Sequence, residues 1–214
     1  MADRLSLFNS ALTMCGERVL ASLTESREPR RLLDQVWDDG GINLCLEAGQ
    51  WRFAMRAVSL DYDPDITPAF GMIRAFAKPT DWRATSAICS DEYFTVPLLE
   101  FSDEAGYWYA NINTIYIKYI SNDASFGNNL SLWPTRFFDF VACHFASKIV
   151  LKLTSSQEKM SGLITLREKL LREAKNHDAM GEPTKFFPPG NWVLSRGNRS
   201  TTRRDGGNRG QLIG

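Results

Sequence analysis

The stretch from Phe137 to Leu153 constrains this chain more than any other. After Trp133-Pro134 the apolar residues fall nearly all round a helical wheel, leaving only His144, Ser147, Lys148 and Lys152 as a narrow polar stripe. A helix of that kind must be covered on most of its sides. Asp139, His144, Lys148 and Lys152 interrupt the run, so it falls short of the roughly 20 largely uncharged residues of a membrane span. With 214 residues and 24.2 kDa, the chain has length for about one domain, and a small monomer has limited material to wrap such a helix. Neighbouring subunits are the expected cover, with Phe137, Phe138, Val141, Phe145 and Ile149 as the expected subunit-interface residues.

Three more helices are legible. Leu5, Phe8, Leu12 and Cys15 recur at helical spacing, and Gly16 is placed to end the helix they form. A second helix starts near Glu28, with Pro29 in its first turn, where a missing N–H costs little. Its apolar positions Leu33, Val36, Trp37, Leu44 and Ala48 form one stripe, interrupted by Gly40-Gly41. Each glycine weakens a helix by about 1 kcal/mol relative to alanine, which predicts a kink or a close crossing there. A last helix opens at Ser155-Ser156-Gln157-Glu158, the capping-box spacing. It continues through Leu163, Leu166, Leu170 and Ala174, with Glu168 four residues before Arg172, and ends at Gly181 with Pro183 beyond.

Between the second and third helices the pattern changes period. Residues 51–60, 72–77, 93–101, 107–110 and 114–120 are short aromatic or β-branched runs separated by prolines and acidic turns, and they read as strands of an antiparallel sheet. In the last run Ile115, Ile117 and Tyr119 alternate with Tyr116, Lys118 and Ile120, so both faces are substantially apolar and the strand should be central or covered. Lys78-Pro79-Thr80-Asp81-Trp82 reads as a turn leading into a single helical turn.

The formal net charge of zero hides an asymmetry. From Lys185 to Gly214 six basic residues face Asp205 alone, a net of +5, so residues 1–184 carry −5. From Ser195 onward the segment is Gly, Asn, Ser, Thr and Arg with almost nothing apolar. Such a composition cannot offset its own ordering entropy and asks for a partner. Phe186, Phe187 and Trp192 with Arg196, Arg199, Arg203, Arg204 and Arg209 are the expected partner-binding residues of this arm. Two occupants fit them: an acidic protein groove, or nucleic-acid phosphates with Trp192 stacking. Cys15, Cys45, Cys89 and Cys143 lie far apart with no CxxC spacing and are expected to be buried free thiols of a reducing compartment, and the N-terminus offers no signal peptide.

Enzyme chemistry has no foothold in the pattern. A phosphate loop, a dinucleotide-binding glycine motif and a GxSxG elbow are all missing. His144 and His177 sit on different helices without partners at metal-ligand spacing, and His144 is expected to be a hydrogen-bonded, partly buried histidine. Asp61, Asp63 and Asp65 mimic the start of a calcium loop, but Ile66 replaces its glycine and Met72 its closing glutamate, so an acidic turn is expected. Asp103 and Glu104 could pose as a glycosidase pair, although adjacent acids before Gly106 read better as a solvated turn. Neither a catalytic residue nor a cofactor or metal is expected.

One ordered series of residues carries a resemblance. Ala11-Leu12-x-x-Cys15-Gly16-Glu17 is followed by Glu47-x-x-x-Trp51-x-Phe53-Ala54-x-Arg56, then Pro79-x-Asp81-Trp82-Arg83 and Ile117-x-Tyr119-Ile120. Trp133-Pro134-x-x-Phe137, Ala146-x-Lys148-Ile149, Leu153-Thr154-Ser155 and Ala174-x-x-x-Asp178 complete it. Over about residues 8–180 this series resembles the tail tubular protein A family of short-tailed bacteriophages, the head–tail adaptors below the portal. The family often has leucine where Cys15 stands, and nothing after Pro183 matches it. The resemblance implies an α+β fold: a helical bundle from residues 1–50 and 133–182, an inserted antiparallel β-rich domain over 51–132, and an extended basic arm over 183–214. It also implies a structural virion protein of the tail or neck, assembled in the host cytoplasm, and not an enzyme. The implied partners are the portal protein, the tail nozzle protein, further copies in a homo-oligomeric dodecamer, and DNA passing through the lumen without sequence-specific contact. The alternatives from the residues alone are a nucleic-acid-binding protein using the arm, or a virion-associated cell-wall hydrolase.

Overall fold

Helix boundaries follow local chemistry. The computed structural model describes residues 3–68 and 71–181. Helix α1 (Arg4–Cys15) starts at Asp3, whose carboxylate accepts from the Ser6 amide at 2.7 Å while the Ser6 hydroxyl accepts from the Asp3 amide at 2.9 Å. It stops at Gly16, which takes the left-handed conformation (φ 78°) that glycine reaches without strain. Helix α2 (Glu28–Asp38) carries Pro29 in its first turn as expected. At Gly40 (φ 81°) the chain breaks and restarts as α3 (Gly41–Glu47). A Cβ on Gly41 would lie 2.7 Å from the Val36 carbonyl oxygen and 3.2 Å from the Phe145 ring. The glycine pair therefore serves both as a break and as a close crossing onto the later helix. The break also resets the helical phase. Ile42, Cys45 and Leu46 are buried while Leu44, expected on the apolar stripe, is 50% exposed.

Helix α4 (Thr135–Thr154) is the long apolar helix, and it ends at Ser155 in the left-handed region (φ 53°). Helix α5 (Gln157–Met180) then begins with the Ser156 hydroxyl accepting from the Lys159 amide at 3.3 Å. Ser156 is the cap; Ser155, expected in that role, terminates α4 instead. All four other helices pack against α4. Phe137, Val141, Phe145 and Ile149 are 2% exposed or less within this single chain. The expected subunit-interface residues of α4 are thus core residues, because α1, α2, α3 and α5 together supply the cover that seemed to require neighbours. Of that set only Phe138 is partly exposed.

The central region forms two three-stranded antiparallel sheets, where the run of strands reads as one. Strands β1 (Met55–Asp61), β6 (Thr114–Ser121) and β3 (Trp82–Cys89) pair in the order β1-β6-β3. Strands β2 (Arg74–Ala77), β5 (Tyr107–Ala110) and β4 (Phe101–Glu104) pair in the order β2-β5-β4. Strand β6 is central, with Ile115, Ile117, Tyr119 and Ile120 fully buried, as its two apolar faces require. Strand β3 stands where residues 78–82 read as a turn into a single helical turn. Its register shifts between Trp82 and Ala84 and again between Thr85 and Ala87, and such bulges erase the period of two by which strands are recognised. Conversely, residues 93–100 form a loop with a single bridge from Cys89 to Pro97. Pro97 cannot donate to a ladder, and the Thr95 and Val96 amides are taken by the Asp91 carboxylate. The fold is α+β, with N- and C-terminal helices flanking a central antiparallel β region.

Candidate docking surfaces

A polar hub joins strands β1, β3 and β6. Asp81 sits just before β3, and its carboxylate accepts from Arg56 Nη1 at 3.1 Å, Tyr119 Oη at 3.1 Å and Ser121 Oγ. Burial works against the charged form, but the hydrogen bonds from Ser121, Arg56 and Tyr119 outweigh it and hold Asp81 below its usual range. Burial, reinforced by the same acid beside the phenol, pushes Tyr119 up to about 12. Each hub donor thus stays protonated and the acid stays ionised at neutral pH. That is the arrangement of a cross-link, with no group poised to exchange a proton.

Between the α2–α3 break and α4 lies a pocket of about 130 Å³. Val36, Gly40, Gly41 and Leu44 form one wall, His144 and Lys148 the other, and Asp39 stands at its edge. His144 is 1% exposed, and neither ring nitrogen has a hydrogen-bond partner. The expectation of a hydrogen-bonded histidine fails here: no group of the described residues reaches either ring nitrogen. Burial, reinforced by Lys148 and Arg167, lowers its pKa to about 4, so the imidazole is neutral at pH 7. A buried polar group without a partner is a marked cost in a folded protein and calls for a reason.

The β3–β4 connection is the third feature. The Asp91 carboxylate accepts from the Thr95 amide, the Thr95 hydroxyl (2.6 Å) and the Val96 amide (2.8 Å), which hold its pKa down to about 2. Phe94 is held at φ 56°, with Lys118 Nζ 4.2 Å from its ring centroid. Tyr93 (78%) and Leu99 (87%) stand out from this braced loop into solvent. No hydrophobicity pattern could have marked it, since the bracing comes from a side chain bonding its own neighbours.

The expected arm residues Phe186, Phe187, Trp192, Arg196, Arg199, Arg203, Arg204 and Arg209 lie outside the described residues. Asp61, Asp63 and Asp65 fall where an acidic turn was expected: β1 ends at Asp61, and the Asp63 carboxylate accepts from the Asp65 amide at 3.0 Å. Asp103 and Glu104 lie on β4 rather than in a solvated turn. Asp103 pairs with Lys78 and accepts from Trp108 Nε1 at 3.1 Å. All four cysteines are buried free thiols, and burial pushes Cys45 up to about 12. Among the described residues no group of three or more potential ligands could hold a metal, and no helix is long and apolar enough to cross a membrane. No protein-family model matches the sequence, and no curated protein matches it.

Proposed function

We propose that this chain is a structural virion protein, a head–tail adaptor that forms a ring between portal and tail nozzle and lines the DNA exit channel. The observation that carries the reading is where the ordered series of residues meets in space. Arg56, Asp81 and Tyr119, far apart in sequence, share one hydrogen-bonded hub. Phe137 contacts Trp51 and Phe53, with ring centroids 4.8 Å away in each case, and Trp133 at 5.0 Å. Asp178 accepts from the Arg52 amide at 3.4 Å and pairs with its guanidinium at 3.7 Å. Residues of the resemblance thus tie strand to strand at the hub, and tie α4 and α5 to the segment that leads into β1, as expected if they encode a shared architecture.

In this reading the helices at the two ends of the chain form one bundle and the strands an inserted domain. The arm after Pro183 reaches the portal, with its arginines pairing with acidic portal residues and its aromatics as anchors. A composition that cannot offset its own ordering entropy makes attachment depend on the portal being present. Residues 1–184 carry −5, and a ring multiplies that charge into a wall that repels DNA and keeps it sliding.

Single-particle mass with the purified cognate portal ring tests the reading. The expected species is heavier than the portal by about 290 kDa, twelve copies of 24.2 kDa. A monomer that ignores the portal would overturn it. Removing residues 185–214 is expected to leave a folded body that no longer binds portal. DNA binding that is salt-sensitive and lost with those residues would carry the nucleic-acid alternative instead, and turnover of peptidoglycan the hydrolase alternative.

A further inference from the structure

We propose that the β3–β4 loop of one copy docks on the next copy by inserting Tyr93 into the pocket floored by His144. This rests on the ring reading and supplies its subunit contact, since the α4 residues first expected there are spent in the core.

The two surfaces match in size. A cavity of about 150 Å³ holds a benzene molecule, so the pocket of about 130 Å³ takes one aromatic ring. The pocket wall suits a ring as well: Val36, Gly40, Gly41 and Leu44 form one side of it, and Tyr93 stands 78% exposed on a solvent-facing loop. Insertion takes that ring out of water and packs it against the apolar wall.

Charge points the same way. Residues 91–104 hold five carboxylates (Asp91, Glu92, Glu100, Asp103 and Glu104) and not one lysine or arginine. The pocket side presents Lys148, with Arg167 close enough to disfavour a charge on His144, and Lys152 one turn beyond Lys148. Asp39 is the acid that lines the pocket. An acidic loop with an aromatic tip thus meets an aromatic-sized hole with Lys148 on its wall, Arg167 near His144 and Lys152 one turn on.

The loop is already shaped for the task. Holding a non-glycine residue such as Phe94 at positive φ costs of order 1–3 kcal/mol and persists only where its surroundings over-determine it. The three Asp91 hydrogen bonds and the Lys118–Phe94 contact do that, so little ordering entropy remains to be lost on docking. The occupant is a second copy rather than the chain's own loop. Strand β3 meets the α3 end of the molecule through Thr85, whose carbonyl accepts from Gln50 Nε2 at 3.2 Å. Four further residues at strand rise carry Cys89, where the loop begins, roughly 13 Å away from that contact. Loop and pocket are different patches, so their pairing is head-to-tail, the kind of contact that generates rings when the rotation closes.

Sedimentation of the full chain across a concentration series, with and without portal, reads the contact. Tyr93→Ala is expected to weaken assembly by about tenfold or more, and Tyr93→Phe, which keeps the ring and loses the hydroxyl, by less. Glu92→Lys and Lys148→Glu should each weaken assembly, and the two together should restore it to within about threefold of the original. A complementary experiment mixes Tyr93→Cys with Leu44→Cys chains and adds a short bismaleimide. A covalent dimer in the mixture, absent from either variant alone and from the unsubstituted chain, is the expected result. If the unsubstituted chain assembles and the Tyr93→Ala and Lys148→Glu variants assemble equally well, the docking contact is wrong while the ring survives. If the unsubstituted chain never assembles, even on the portal, the ring reading falls and this contact falls with it.

Discussion

The helical and sheet regions of this molecule solve the problem of burial in opposite ways. Around α4 the core is almost wholly apolar, and its rings interlock: Phe8, Trp37 and Phe145 stand 6.1–6.3 Å apart, and Trp51, Phe137 and Trp133 form a second cluster. The two indoles buried there are satisfied by backbone carbonyls, Trp51 by Cys45 at 3.0 Å and Trp133 by Gly127 at 2.7 Å. The sheets enclose a much smaller core around Phe76, Ile88, Trp108 and Tyr119 and lean on polar cross-links: the Asp81 hub, the Asp103 cluster, and cations over rings such as Arg74 over Tyr62 at 3.9 Å. A helix sheathed by four others can retain an unpaired imidazole in its side. Two three-stranded sheets have no such reserve, and hydrogen-bonded charges tie them instead.

The contrast can be broken most directly at Phe137. Phe137→Ala removes the ring that Trp51, Phe53 and Trp133 share, and is expected to cost about 4 kcal/mol in urea unfolding. A loss below about 1.5 kcal/mol would mean that this core repacks freely and is not the rigid part of the molecule. The next test is pH. The folded pKa of His144, about 4, lies below its ordinary 6.5, so the unfolded chain takes up the proton more readily. Stability is full above pH 6.5 and declines as pH falls toward 4, by a total of about 3 kcal/mol. His144→Leu should flatten that decline, and an unchanged slope would place its origin elsewhere.

In the sheet region the corresponding window lies lower. The Asp81 carboxylate is held below its ordinary 3.8, so its contribution is complete above that value and is lost only as pH falls further. Asp81→Asn is expected to cost about 2 kcal/mol at neutral pH by mis-pairing a hub of three donors. A loss confined to strongly acidic pH would contradict that. The smallest effect expected is a gain. Ser155→Gly relieves the left-handed residue that ends α4 and should stabilise by about 0.5 kcal/mol in thermal unfolding.

Much of the helical half was legible, because helix formation is governed by features that lie close together in sequence. The α1 stripe and Gly16, Pro29 in the first turn of α2, the Gly40-Gly41 break and the end of α5 were all readable from side-chain type and spacing. Strands β5 and β6 were readable for the same reason. Strand β3 was hidden by its two bulges, and residues 93–100 imitated a strand because composition does not reveal that Asp91 has taken the amides a ladder needs. The candidate site was harder still. His144 was noticed, but its pocket depends on α2 and α3 crossing α4 at Gly41, and its missing partners depend on what those helices present. Tyr93 carried no signal at all.

The sequence by itself determined that one helix must be covered on most of its sides, where most helices start and stop, and that strand β6 is central or covered. These follow from periodicity and from the conformational limits of glycine and proline. What covers the helix was decided only by the tertiary structure. Four helices of the same chain do so, since a stripe of apolar residues demands contact without naming the surface that provides it. The same holds for the hub at Asp81 and the hole beside His144: each is made by groups far apart in sequence, whose meeting is a property of packing.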